Sequence, residues 1–139
     1  MLFRSPPAWS GSITHKPGLA AALVAPAELG HVGVDLEVAS ARKIDISRRI
    51  LTPREQAALP DHGPAVTLRF AIKEAIYKAV DPIVRRYVGF TEVELELGDD
   101  GSCAITIVDP VRLPVAVEAR WQRLAQFWLA SARALRTSP

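Results

Sequence analysis

The stretch VGVDLEV, residues 32 to 38, places two carboxylates, Asp35 and Glu37, two positions apart. Val32, Val34, Leu36 and Val38 alternate with Gly33, Asp35 and Glu37, the period of a strand with one buried face. Both acids therefore leave the strand on the same side. Their Cα atoms stand about 7 Å apart at a rise of ~3.3 Å per residue, so the charges repel unless a cation, an arginine or water relieves them. A second constellation, FAIKEAIYKA, runs from Phe70 to Ala79. At helical spacing Phe70, Glu74, Tyr77 and Lys78 share one arc, opposite a stripe of Leu68, Ile72, Ala75, Ile76 and Ala79. That arc suits a solvated face carrying an i,i+4 Glu–Lys pair, worth a few tenths of a kcal/mol. It also suits a carboxylate and an ammonium held ready for chemistry, and the two aromatics favour a face that is covered.

The elements that must hold these residues can be read around them. SITH (12–15) and GLAAALVA (18–25) read as two short strands joined by the turn signal KPG, and HVGVDLEV (31–38) is a third. In TPRE, Thr52 is an N-cap, Pro53 the first helical residue and Glu55 the third, which starts a short helix. The main helix covers 65–80 and is expected to stop at Asp81-Pro82. Strands return with GFTEVELELG, then the turn DDG, then SCAITIV, PVAVEAR and LAQFWLASAR (124–133). Strands on both sides of a central helical segment, without regular alternation, predict an α+β fold: an antiparallel sheet packed against a long helix. One domain over 1–139 is expected, with residues 1–10 irregular and 135–139 a disordered tail.

Composition narrows the class. A chain of 139 residues, 49% hydrophobic, suits a single core. Seventeen Lys and Arg against fifteen Asp and Glu give a net charge of +2, too mild to argue for nucleic acid but compatible with a small anion or an acidic partner surface. The single cysteine, Cys103, excludes an internal disulfide and reads as a small core hydrophobe in a reducing compartment. No secretory leader is visible in MLFRSPPAWSGS, and GLAAALVAPAELG is far shorter than the ~20 residues a membrane helix needs. A cytoplasmic location, without membrane or nucleic-acid partners, is the expectation.

In order along the chain, GSITH, VGVDLE and FAIKEAIYKA resemble the 4′-phosphopantetheinyl transferases, in particular the larger subtype that includes the surfactin-synthetase activators and the enterobactin synthetase component D group. The last motif matches the family pattern of an aromatic residue, two residues, Lys-Glu-Ala, and a second Lys four after the Glu. AVTLRFAIKEAIYKAV and WQRLAQFWLASA look closest to the enterobactin-associated branch. The similarity runs from about Trp9 to Arg133, and its strength lies in three motifs in order rather than in any one of them.

The resemblance implies a reaction: transfer of the phosphopantetheine arm of coenzyme A to a serine of an acyl or peptidyl carrier protein, with release of 3′,5′-ADP. It implies that Asp35, Glu37 and Glu74 bind Mg²⁺ or Mn²⁺ on the coenzyme pyrophosphate, hard oxygen ligands of the kind such ions prefer. Glu74 would accept the serine proton and Lys78 would stabilise the leaving phosphate, although a carboxylate on a cation is a weaker base. Thr14 and His15 match the family's Ser/Thr-His pair for coenzyme phosphates, with Lys16 and Lys73 as basic neighbours that also suit ordinary surface lysines. Arg42, Lys43, Arg48 and Arg49, in ARKIDISRR just after the acidic strand, would face an acidic carrier protein or simply water. His31 and His62 receive no role.

The chain also departs from the subtype, whose members have two similar halves with coenzyme A between them; it matches the second half and only the last strands of the first. Three origins stay open: a domain of a larger synthase, a short form that assembles from several copies, or a relic. A single lobe leaves apolar surface to be covered, so a homo-oligomer or docking within a longer polypeptide is expected. The alternative to an enzyme is a module that binds coenzyme A or carrier protein without turnover.

Overall fold

Seven strands and three helices are built from these segments in the computed structural model, which describes residues 8–59 and 63–137. Strands β1 (Trp9–Lys16) and β2 (Leu19–Pro26) form an antiparallel hairpin whose turn holds Gly18 at φ +87°. Strand β3 (His31–Val38) follows, then two short helices, α1 (Ser47–Ile50) and α2 (Pro53–Ala58). The long helix α3 spans Pro64–Val84. Strands β4 (Val93–Leu97), β5 (Ser102–Ile107), β6 (Val115–Leu124) and β7 (Phe127–Arg136) complete a five-stranded antiparallel sheet in the order β3-β7-β6-β5-β4. The expected α+β class is the one observed.

Several boundaries differ from expectation for local reasons. Helix α3 continues past Asp81-Pro82 by two residues, because a proline in the last turn forfeits a single backbone bond. Arg85 closes it in the left-handed region (φ 51°), its N–H donating to the Asp81 carbonyl at 2.8 Å. Leu124 ends β6 rather than starting β7: Leu124 pairs with Phe127 across a two-residue turn in which Ala125 takes φ 52°. Strand β1 begins at Trp9, inside the segment expected to be irregular, and β7 reaches Arg136, inside the expected tail. Residues 1–7 and 138–139, and His62, lie outside the described residues. Thr52 caps α2 as its spelling predicts, with the reciprocal bonds Glu55 N to Thr52 Oγ1 (3.2 Å) and Thr52 N to Glu55 Oε1 (2.9 Å). Cys103 is half-buried against the core.

The largest correction concerns β3, which is buried on both faces rather than one. Gly33, Asp35 and Glu37 share a face with Ala132, Ala130 and Trp128 of β7, and this is the face that receives α3. The alanines of the helix, Ala71, Ala75 and Ala79, recur every four residues and bring its backbone down onto the sheet. At Gly33 the approach is so close that an added Cβ would collide with the Ala75 carbonyl oxygen and stand 2.9 Å from Ala79 N. The opposite face, with Val32 and Val34, is covered by the β1–β2 hairpin, so the alternating pattern marks two different coverings.

The hairpin does not extend the sheet. Along the free edge of β3, the backbone N–H groups of Val32, Val34 and Leu36 donate to Ser10 Oγ (3.0 Å), Ser12 Oγ (3.0 Å) and Thr14 Oγ1 (3.3 Å). Three hydroxyls at every second residue of β1 thus replace a backbone ladder and satisfy an edge that would otherwise be open. Among the described residues no helix is long and apolar enough to cross a membrane.

The contact at Gly33 predicts a large stability cost for Gly33→Ala. We expect a loss of about 3 kcal/mol or more, the upper range for overpacking, because backbone on both sides must shift. Gly18→Ala, whose methyl meets nothing, should cost only the ~1–2 kcal/mol of its left-handed backbone. Thermal or urea unfolding of the two variants checks the order; equal losses would refute the close approach.

Candidate active site

Helix α3 carries charge on two sides, and the two sides differ in kind. On the side toward β3, Lys78 Nζ lies 3.5 Å from Asp35 Oδ1 and donates to the carbonyls of Val34 (2.9 Å) and, more weakly, Ile13 (3.4 Å). It thereby pins helix, strand and hairpin at one point. Glu37 accepts Lys16 Nζ at 3.3 Å and Arg42 Nη1 at 3.5 Å, both on Oε1. The guanidinium of Arg42 also stacks over the Phe70 ring, 4.7 Å from its centre, and Phe70 in turn meets Phe90 at 5.7 Å. Glu74, one turn before Lys78, is half-buried beside the same acids.

Burial makes this acidic group unusual. Asp35 and Glu37 are only 6% and 7% exposed. The Asp35 carboxyl is pushed up to about 8, first by burial and then by the neighbouring Glu37 carboxyl, with Lys78 pulling the other way. Glu74 is raised as well, by burial and by Glu37, against Lys78 and Arg42. Asp35 Oδ2 is buried without a donor. A buried carboxylate oxygen without a donor is costly.

These observations test the expected metal site. Among the described residues no group of three or more His, Cys, Asp or Glu side chains is arranged to hold a metal ion, so Asp35, Glu37 and Glu74 are not a preassembled three-ligand cage. The donors nevertheless fit in kind: hard oxygens, an unsatisfied Asp35 Oδ2, and raised carboxyls at Asp35 and Glu74. Mg²⁺ commonly uses one or two carboxylates and completes its shell with water and phosphate, which this pair allows.

The remaining expected site residues divide. Lys16 closes on Glu37, and His15 is exposed at the end of β1. Thr14 holds the Leu36 N–H through its oxygen, leaving its own O–H free to donate. Lys16, Arg42, Lys43 and Arg49 line one cleft of about 630 Å³ that opens at Glu37, while Arg48 is exposed outside that lining. Arg42, expected on a docking surface, is therefore part of the acidic site.

Lys73 is a correction. It is 2% exposed, on the far side of α3, and donates to Glu55 Oε1 (2.6 Å), Ile50 O (2.6 Å) and Phe90 O (3.0 Å). Glu55 Oε2 accepts the Leu95 N–H at 2.9 Å, so the pair fastens α1, α2, α3 and the edge strand β4 together. With all three protons engaged in the interior, Lys73 is neither a coenzyme ligand nor a surface lysine here. The sequence carried one clue, the capping-box Glu55, which looked sufficient as a cap. Ser10 and Ser12 were missed too, although hydroxyls at 10, 12 and 14 were readable.

Two outcomes follow. Lys73→Met should cost about 3–5 kcal/mol, because it strands Glu55 without its cation, and unfolding of the variant measures it. For Asp35 the sign runs through protons: between about pH 4 and 8 the unfolded chain has released this proton while the folded chain keeps it. Stability of the metal-free protein therefore falls across that window and levels off above it. Asp35→Asn removes this contribution, so its stability advantage should be absent near pH 4 and greatest near pH 8; urea midpoints across that range decide.

Comparison with known proteins bears on the family and the fold. The family model described as the 4′-phosphopantetheinyl transferase superfamily matches residues 31–131. The 4′-phosphopantetheinyl transferase PptT of Mycobacterium tuberculosis is 31% identical over 97 residues, covering 66% of this chain and 43% of that protein. The chain thus spans less than half the length of this curated relative. Among solved structures, the ACPS–CoA complex of Chronobacterium ammoniagenes matches at TM-score 0.57 and 18% identity over 77% of this chain and 97% of its own. Helicobacter pylori holo-[acyl-carrier-protein] synthase in complex with coenzyme A matches at TM-score 0.55 and 18% identity, over 75% and 99%. At such identities these structures speak for the fold. The matched residues take in β3 with both acids, the whole of α3, and the sheet as far as Ser131, and on that span the chain belongs to the 4′-phosphopantetheinyl transferase superfamily.

Proposed function

We propose that the chain transfers the 4′-phosphopantetheine arm of coenzyme A to a serine hydroxyl of an acyl or peptidyl carrier protein, releasing 3′,5′-ADP. The observation that carries this reading is the meeting of Asp35 and Glu37 of β3 with Glu74 and Lys78 of α3. In the reaction the serine oxygen bonds to the β-phosphorus, and the bond from that phosphorus to the bridging oxygen breaks. The work left to the protein is positioning, charge balance and the fate of one proton.

Glu74 takes the serine proton; burial raises its carboxyl above the usual range, toward the pH at which a base also releases its proton. Asp35 and Glu37, with Glu74 beside them, are the residues that would hold Mg²⁺ or Mn²⁺, which when bound neutralises charge on the pyrophosphate. Lys78 can turn its weakest contact, the 3.4 Å bond to Ile13 O, toward the departing phosphate while keeping Val34 O. Thr14, His15 and Lys16, at the end of β1, bind the coenzyme phosphates. Lys43 and Arg49 in the cleft, with Arg48 beside it, give an acidic carrier protein a surface to approach.

A second reading, a module that binds coenzyme A without turnover, is favoured by the inward aim of Lys78 and by the absence of a three-ligand cage among the described residues. Single-turnover labelling of an apo carrier protein with fluorescent coenzyme A separates the two. We expect labelling with Mg²⁺ and none with EDTA, and a rate at least about 100-fold lower for Glu74→Gln. Coenzyme A binding without label transfer at any Mg²⁺ concentration would establish the module, and an unchanged Glu74→Gln rate would remove Glu74 from the role of base.

A further inference from the structure

Glu37 is neutralised by two cations that come from different elements and share one oxygen. Lys16 Nζ, at the end of β1, and Arg42 Nη1, from the segment after β3, lie 3.3 and 3.5 Å from Oε1. Both are loosely held. Their side chains are 33% and 41% exposed, while that of Glu37 is 9%. A fixed ion pair in this same chain looks different: Lys73 and Glu55 close to 2.6 Å with both side chains buried. Arg42 has a second anchor, the Phe70 ring, so its position does not depend on Glu37. Both cations line the open basic cleft that starts at Glu37.

We propose that Lys16 and Arg42 are exchangeable counter-ions of Glu37. They neutralise it while the acidic pair holds no divalent cation, and they turn from Glu37 to the polyphosphate of the incoming coenzyme once a divalent cation takes their place. This inference rests on the transferase reading given above. Whether a divalent cation takes Oε1 or Oε2 of Glu37, it stands within a few ångströms of the ammonium and the guanidinium on Oε1 and repels both, so it weakens their hold. An arriving polyphosphate supplies the anion that the two released side chains need, and the cleft beside Glu37 gives it room. Asp35 Oδ2, buried and without a donor, marks independently where positive charge is lacking. Lys16 and Arg42 thus oppose a divalent cation alone and favour it together with polyphosphate, so the two ligands bind with positive coupling.

The test uses Mn²⁺ as the metal probe, counted as free ion by electron paramagnetic resonance, on the full 139-residue chain. For the Lys16→Gln, Arg42→Gln double variant we expect Mn²⁺ alone to bind about three- to tenfold more tightly than to wild type, since two loose ion pairs no longer compete. Coenzyme A should tighten Mn²⁺ binding by a factor at least about threefold larger in wild type than in the double variant, where only the phosphate oxygens on the ion itself still couple the two ligands. Lys43→Gln, Arg49→Gln is the control: it removes equal charge from the same cleft without touching Glu37, and should leave Mn²⁺ affinity within about twofold of wild type. Equal effects of the two double variants would reduce the exchange to a general field and overturn it. So would a Lys16→Gln, Arg42→Gln variant that binds Mn²⁺ no more tightly than wild type, while the transferase reading stands if wild type still labels carrier protein. Wild type that binds no Mn²⁺ even with coenzyme A overturns both.

Discussion

The structure depends on one close approach, the α3 backbone lying directly on β3 at Gly33. No side chain separates the Ala75 carbonyl from the strand there, and the alanines on either side of it keep the helix equally low over β7. A helix that low brings its own polar side chains level with those of the strand. Glu74 and Lys78 flank Ala75, and Asp35 follows Gly33 by two residues, so one glycine contact sets the whole acidic site. With larger residues at these positions the helix would have to ride higher on the strand.

Two consecutive residues of α3 show how differently a fold can treat buried charge. Lys73 points to one side, where Glu55 and two carbonyls take all three of its protons. Glu74 points to the other, into a cluster of three carboxyls and three cations whose ion pairs are long, and where Asp35 keeps an oxygen without a donor. A saturated pair in the interior gives rigidity and leaves nothing for a ligand. A buried oxygen without a donor stores an electrostatic demand that a cation or a proton can answer, which is how buried functional sites differ from buried structural ones. The rigid side of the helix therefore supports the reactive side.

Side chains serve both edges of the larger sheet, fully at β3 and at one point on β4. Three hydroxyls of β1 serve β3, and a carboxylate oxygen of Glu55 serves Leu95 on β4. Side-chain closure leaves the hairpin attached to β3 through Oγ atoms and the Lys78 ammonium, not through a backbone ladder. The hairpin end that carries His15 and Lys16 is thereby brought beside Glu37, in register with the acids it serves.

Read alone, the sequence determined the elements and the membership. Periodicity, the TPRE cap and the KPG and DDG turns are local, so the α+β order and most strands were legible, and the three motifs singled out Asp35, Glu37, Glu74 and Lys78 as candidates by type and order. Only the tertiary structure decided which face of β3 the acids occupy, because a period of two says that faces differ without saying what covers each. It alone separated Lys73 from Lys78, two lysines of one motif, since burial depends on residues such as Glu55 and Phe90 that are distant in sequence. It alone moved Arg42 from a surface run into the site, where Phe70 and Glu37 converge on it. The physical reason is the same in each case: local spacing fixes direction relative to an element's own axis, whereas charge balance and burial are set by what long-range packing brings opposite.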